Sequence, residues 1–276
     1  MTTAKIIAIG NQKGGVTKST LATHLAVGLA KRGRKVLLWD LDPGSGATSY
    51  FGIPSEYVGS FEVLTGQESA DEVMLTNKDE GLLLPENLSM ISANKRIEGI
   101  EVVLRGKSKF AEPKEALVKP LAQVRNKFDY ILLDTAPNPG STTLAAYRAA
   151  EWFLLAATPE PGSIDGINKA LEDIQEAQQF LNPNLKLLGV VVSRVKSRTR
   201  LGDRLLAALR DGFPESMVFA SEISESIIVA GAQESYQTVF DFEPDHKVTQ
   251  QYWSLVNEFE ERIQQEVSKL EEVGNG

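Results

Sequence analysis

Apolar positions in this chain fall into two patterns that alternate from one end to the other. The first is a short unbroken run, as in Ile6-Ile7-Ala8-Ile9, Val36-Leu37-Leu38-Trp39 and Tyr130-Ile131-Leu132-Leu133. Such runs read as strands buried on both faces, because a strand with one wet face would alternate. By that criterion 5–11, 36–39, 130–133, 152–157 and 186–192 are strands, and 88–92 is a short one. The second pattern has a helical period and covers 18–32, 115–126, 163–180, 199–210 and 249–270. Gly33 follows the first helix where a C′ glycine ends one. Residues 271–276 read as a frayed tail. Strand and helix in alternation predict an α/β fold: a doubly wound, mostly parallel sheet with helices on both faces. The stretch 52–112 is the least regular and predicts short elements only. There is no internal repeat or linker, so residues 1–276 are expected to form one domain.

Composition narrows the class. The chain has 276 residues, of which 42% are apolar, ordinary for a soluble domain with a sizeable core. No apolar run is long enough to span a bilayer, and the N-terminus leads straight into the first strand without a signal-peptide pattern. The expected compartment is the cytoplasm. There are no cysteines and two histidines, which excludes disulfides, thiolate metal sites and a histidine metal cluster. Net charge is −8, so any contact with nucleic acid must come from a local patch.

The candidate chemistry begins right after the first strand, in Gly10-Asn11-Gln12-Lys13-Gly14-Gly15-Val16-Thr17-Lys18-Ser19-Thr20. Strand, glycine-rich turn, Lys-Ser and helix is the layout of a phosphate cradle. Glycines let backbone N–H groups approach phosphate oxygens, and the helix N-terminus adds positive potential. Gly14, Gly15, Val16, Thr17, Lys18, Ser19 and Thr20 would line that cradle. Lys18 would reach the β/γ-phosphates and the Ser19 hydroxyl would ligate Mg²⁺. The ordinary pattern G-x-x-x-x-G-K-[ST] fails, since Gln12 and Thr17 stand at its glycine positions. What fits is K-G-G-x-x-K-[ST], with an additional lysine, Lys13.

Two further segments follow. Asp40-Leu41-Asp42-Pro43 closes the second strand, and two carboxylates at i and i+2 can face one side of a sheet. Beside the cradle they could serve Mg²⁺ and an attacking water. The strand Tyr130–Leu133 then delivers Asp134, a Walker B-like carboxylate suited to Mg²⁺.

In this order the three motifs resemble those of the ParA/MinD family of deviant Walker A ATPases, most closely the ParA-type partition and cargo-positioning members. The resemblance implies ATP and Mg²⁺ as cofactors and a homodimer that sandwiches ATP. It implies that Lys13 crosses the dimer interface to the partner's nucleotide, and that Asp42, in a D-x-D-P segment, is tied to hydrolysis. Lys13, Lys18, Asp42 and Asp134 thus form the expected catalytic set, and Ser19, Asp42 and Asp134 the expected metal set. It further implies slow turnover raised by a ParB-type adaptor. The chain departs from the family where Gly44-Ser45-Gly46 replaces Gln-Gly-Asn, and where Ala136 replaces the first proline of D-x-P-P.

Other expectations rest on single segments. Ser193 follows the strand 186–192, where MinD-like relatives carry an asparagine that reads the purine. Serine offers fewer matched hydrogen bonds, so adenine over guanine rests on the resemblance. The segment Arg194-Val195-Lys196-Ser197-Arg198-Thr199-Arg200 is the densest basic patch. It resembles the ParA-family loop that contributes to non-specific DNA binding, with Arg198 and Arg200 as the contact candidates and the nucleoid as the implied location. The plainer reading is a solvated helix start. A second basic stretch of those relatives falls on Ser221–Ser226, which holds no lysine or arginine. Tyr252, Trp253, Leu255, Val256, Phe259 and Ile263 form an apolar stripe on the last helix. Its acidic polar face argues for core packing rather than an anionic membrane. Two rival functions stay open: a nucleotide switch that acts without DNA, and a P-loop ATP-dependent biosynthetic ligase. The reductase form of the latter, with an iron–sulfur cluster, is excluded by the lack of cysteine.

Overall fold

The computed structural model describes residues 3–11, 17–107, 112–137, 139–196 and 200–274. Its strands are β1 (Lys5–Gly10), β2 (Val36–Asp40), β3 (Leu88–Ile91), β4 (Tyr130–Asp134), β5 (Trp152–Ala157), β6 (Lys186–Val195) and β7 (Val218–Ser224). They form one sheet in the order β3-β2-β4-β1-β5-β6-β7, with every neighbouring pair parallel. The expected "mostly parallel" sheet is therefore wholly parallel among its named strands. β2, β4 and β5 are buried along their whole length, which is why their sequences are unbroken apolar runs.

Helices α1 (Lys18–Lys31) and α2 (Gly46–Tyr50) pack on one face of the sheet. The opposite face carries α3 (Ser60–Thr65), α4 (Ile100–Lys107), α5 (Val118–Val124), α6 (Ser141–Ala149), α7 (Ser163–Phe180) and α8 (Arg200–Asp211). The chain then returns to the first face with α9 (Ile227–Glu234), α10 (Val239–Phe242) and α11 (Lys247–Gly274). Tyr252, Leu255, Val256, Phe259 and Ile263 of α11 are buried against that face, as their helical spacing predicts. Arg262 ties the same helix to the sheet edge by donating to the carbonyls of Ser216 (2.7 Å) and Val218 (2.9 Å). No described helix is long and apolar enough to cross a membrane.

The structure changes the local picture at four places. Of the tail expected over 271–276, residues 271–274 extend α11, where Lys269, Leu270, Glu271 and Glu272 are strong helix formers, and 275–276 lie outside the described residues. The helix expected over 115–126 is a 3₁₀ turn at Pro113–Glu115, then α5, then a second turn at Arg125–Lys127. Pro120 is the reason: it lacks an N–H and is tolerated in the first turn of a helix, so α5 starts two residues before it. β6 runs on to Val195, which pairs with Ser224, so Ser193 lies inside the strand rather than after it. That partner strand, β7, escaped the pattern reading because it is an edge strand, with exposed and half-buried residues between Phe219 and Ile223.

Candidate nucleotide site

The site is built where three strands end side by side. β1 lies between β4 and β5, and β4 separates it from β2. Register brings Ile9 level with Asp134, and Asp134 level with Asp40. Three chain segments therefore leave the carboxyl edge of the sheet together, the usual place for ligands in parallel α/β folds. Gly10 closes β1 because a Cβ there would stand 2.6 Å from the Thr135 hydroxyl and 2.7 Å from the Phe153 ring. The expected cradle residues Lys13, Gly14, Gly15 and Val16 lie outside the described residues. Thr17 follows in the left-handed region (φ 48°, ψ 24°) and starts α1, which leaves the first N–H groups of the helix without intrahelical partners.

Lys18, Ser19, Asp42 and Asp134 come together at this edge. Lys18 is buried; burial pushes its pKa down, while the Asp134 and Asp42 carboxylates pull it back up. Asp134 is wholly buried, and its carboxylate oxygens make no hydrogen bond of normal geometry; the Ser19 hydroxyl and the Lys18 ammonium are its polar neighbours. Burial raises its pKa well above the ordinary 3.8, and the Asp40 carboxylate adds to the shift; the nearby Ser19 hydroxyl and Lys18 ammonium oppose it. A buried carboxylate without hydrogen bonds of normal geometry is costly, and an incoming cation would remove that cost. Among the described residues no group of three or more carboxylate or imidazole side chains could hold a metal alone. Mg²⁺ commonly takes one or two protein ligands and completes its shell with phosphate and water.

Asp42 is half-buried, and its Oδ1 accepts the Gly44 N–H at 2.8 Å. Asp40 behaves differently from its neighbour two residues on. It is wholly buried and accepts three hydrogen bonds, from Asp42 N, Thr48 N and Thr48 Oγ1. Burial still lifts its pKa to about 6 against those hydrogen bonds. The two carboxylates of the D-x-D segment thus divide into a buried anchor and an accessible group. Gly46 lies directly against the Ser19 side chain and leaves no room for a Cβ, so the departure from the family pattern at that position brings the backbone onto Ser19.

A cavity of about 440 Å³ adjoins Thr17 and Thr20 of α1. Its wall includes Ser193, Arg194, Ile223 and Tyr252. Ser193 is buried, and its hydroxyl is engaged with the Thr17 hydroxyl, so it holds the residue that precedes α1 as well as facing the cavity. Tyr252 stacks on His24 of α1, with ring centroids 4.0 Å apart. The part played by β7 and α11 in this wall was not visible in the motifs; the apolar stripe containing Tyr252 was the only signal, and it pointed to core packing.

In the basic segment, Arg198 lies outside the described residues. Arg200 opens α8, and its side chain is likewise outside them. Described members of the segment face acids: Arg194 pairs with Glu225 (3.0 Å) and Glu160 (3.9 Å), and Lys196 with Glu225 (4.0 Å). Glu225 directly follows β7, the strand that pairs with β6.

A parallel sheet with a lysine, a hydroxyl and a buried carboxylate at the carboxyl ends of its central strands defines a P-loop type of nucleotide-dependent protein. A family model described as an AAA domain matches residues 4–187. The chromosome-partitioning ATPase Soj of Thermus thermophilus is 34% identical over 260 residues, covering 94% of this chain and 96% of that protein. The chain belongs to the ParA/Soj branch of the ParA/MinD-type P-loop ATPases. Among solved structures it is similar to cobyrinic acid a,c-diamide synthase of Mycobacterium smegmatis with bound ATP analog and magnesium. That match has a TM-score of 0.77 and 28% identity, covering 92% of this chain and 93% of the other. Apo McdA of Cyanothece shares the fold, with a TM-score of 0.79 at 20% identity over 93% of this chain and 99% of the other.

Proposed function

We propose that this ATPase binds ATP with Mg²⁺, dimerises around two nucleotides, and uses the cycle to position or partition DNA or a protein cargo. The observation that carries the reading is the wholly buried carboxylate of Asp134, set beside the Ser19 hydroxyl and the Lys18 ammonium without a hydrogen bond of normal geometry. Those residues fit Mg²⁺: the Ser19 hydroxyl and the Asp134 carboxylate would hold it, with Asp42 within electrostatic reach of the same lysine. The ion would supply neutralisation of phosphate charge. Lys18 and the N–H groups at the start of α1 bind the phosphates from within the subunit. Lys13 of each subunit reaches across to its partner's nucleotide. Asp42 orients the attacking water, and the cavity beside Thr17 takes the adenine. Catalysis on this reading is positioning plus electrostatics, so turnover is expected to be slow until a ParB-type adaptor completes the geometry.

ATP-dependent, non-specific DNA binding through Arg198 and Arg200 is the proposed means of positioning, with the protein held at the nucleoid in the cytoplasm. Filter retention of random-sequence DNA at low salt tests it. Retention with Mg–ATP and not with ADP supports the DNA-based mechanism; no retention with either nucleotide leaves a DNA-independent switch. The likeness to a diamide synthase favours one second reading, an ATP-dependent ligase. ATP consumption that requires an added carboxylic acid would favour the ligase, and phosphate release from ATP alone the switch.

A further inference from the structure

The loop that carries Asp42 is held by several hydroxyls, of which that of Thr48 bonds to both Asp40 and Ala93. Thr48 lies in α2 and is buried. Its hydroxyl donates to Asp40 Oδ2 at 2.7 Å, and its backbone N–H donates to the same oxygen at 2.9 Å. The hydroxyl also accepts the backbone N–H of Ala93, just after β3, at 2.8 Å. The other Asp40 oxygen, Oδ1, accepts the backbone N–H of Asp42 at 3.0 Å. The Ala93 carbonyl in turn accepts the Ser45 hydroxyl at 3.0 Å. The two sides of Ala93 are therefore both gripped by the Asp42 loop and its helix. A hydroxyl has one proton to give, and here it is aimed at a carboxylate while a lone pair takes an amide.

We propose that Thr48 is a positioning residue for hydrolysis: by joining the Ala93 N–H to the Asp40 carboxylate, it fixes the backbone at Asp42 and with it the carboxylate that orients the attacking water. This rests on the reading of Asp42 given above. Thr48 makes no described hydrogen bond to Lys18 or to the first turn of α1. Its described hydrogen bonds run to Asp40 and Ala93, so the proposed effect falls on the backbone at Asp42. Without the hydroxyl, the Ala93 N–H and an Asp40 lone pair both lose a partner in a dry interior, and the loop relaxes to find others. A reaction driven by positioning is sensitive to such a shift, since displacement by about 1 Å can cost on the order of 100-fold in rate. The inference also gives the irregular stretch 52–112 a role. Its β3 exit becomes part of the wall that sets Asp42, and Ser60 of α3 adds a second hold by donating to the Asp40 carbonyl.

The test compares Thr48→Val, which keeps the shape and removes the hydroxyl, with Thr48→Ser, which keeps the hydroxyl and loses a methyl. Asp42→Ala is run beside them. Steady-state ATPase gives kcat and KM, calorimetry gives the Kd for Mg–ADP, and scanning calorimetry confirms folding. The expected result is a kcat lowered about tenfold or more in the valine variant, with Kd within about twofold of wild type, and a kcat restored in the serine variant. Wild-type kcat in the valine variant would overturn the proposal. So would a serine variant as slow as the valine one, or a Kd that weakens in step with kcat. If Thr48→Val fails to fold, Thr48→Ala is read by the same criteria. Normal hydrolysis by Asp42→Ala would remove the underlying reading and the proposal with it. An inactive Asp42→Ala beside a normal valine variant would remove the proposal alone.

Discussion

His24 offers a prediction whose size follows from the structure. It lies wholly buried on α1, four residues after Thr20, which lines the cavity beside the cradle. Its Nδ1 donates to the Thr20 carbonyl at 2.8 Å, and its Nε2 accepts the Val239 N–H at 3.3 Å. Those two bonds define a neutral imidazole, and protonating Nε2 would turn two donors against each other. Burial accordingly lowers its pKa from 6.5 to about 4. The unfolded chain takes up this proton below pH 6.5 and the folded chain does not, so stability is full above 6.5 and falls as pH drops towards 4. Linkage gives a loss of roughly 2 kcal/mol between pH 7 and pH 5. Asp40 works in the opposite sense: its folded pKa of about 6 lies above the ordinary 3.8, so acidification through that range favours the folded state. Asp134, whose pKa burial also raises, acts in the same sense as Asp40, so the total pH profile mixes all three and a variant must isolate the histidine. Glutamine at position 24 keeps one donor and one acceptor without titrating. Urea unfolding of wild type and His24→Gln, without nucleotide and with chelator, should show a stability gap that shrinks by about 2 kcal/mol from pH 7 to pH 5. A gap that stays constant over that range would refute the buried-neutral reasoning.

Lys18→Ala should weaken ATP binding about 30-fold or more, because it removes a charge-assisted contact from a buried site; titration calorimetry measures it. Asp134→Asn should raise the Mg²⁺ concentration for half-maximal hydrolysis about tenfold, since amides are poor Mg²⁺ ligands; titration of the ATPase rate with Mg²⁺ measures it. Arg198→Glu with Arg200→Glu should abolish DNA retention and leave ATP affinity unchanged. In wild type that retention should fall steeply with salt as counterion release loses its driving force.

The central strands and the motifs at their ends were legible because burial on both faces leaves an unbroken apolar signature, and because phosphate chemistry restricts the residues beside them. β7 was not legible. As an edge strand it carries exposed and half-buried residues, and its contribution to the cavity comes from position in the sheet rather than residue type. The division of labour between Asp40 and Asp42 was equally hidden. Their spacing says that two carboxylates leave the strand together. Only the fold shows that Asp40 turns inward to Thr48 while Asp42 stays accessible. Thr48 and Ala93 are 45 residues apart, and nothing in either residue type announces that they meet. The paired bases and acids around Arg194 also depend on the unforeseen β7, which brings Glu225 against the basic segment.

The mass of the particle in solution with and without ATP tests the central claim most directly. Asp42→Ala is expected to bind ATP without turning it over, which holds the ATP-bound state long enough to weigh by light scattering. With Mg–ATP this variant should have twice the chain mass of 30.2 kDa, and with Mg–ADP the single-chain mass. Adding Lys13→Ala should return the ATP-bound sample to the single-chain mass while ATP still binds. A single-chain mass for Asp42→Ala at saturating Mg–ATP would contradict the account, as would a dimer that forms equally well without nucleotide.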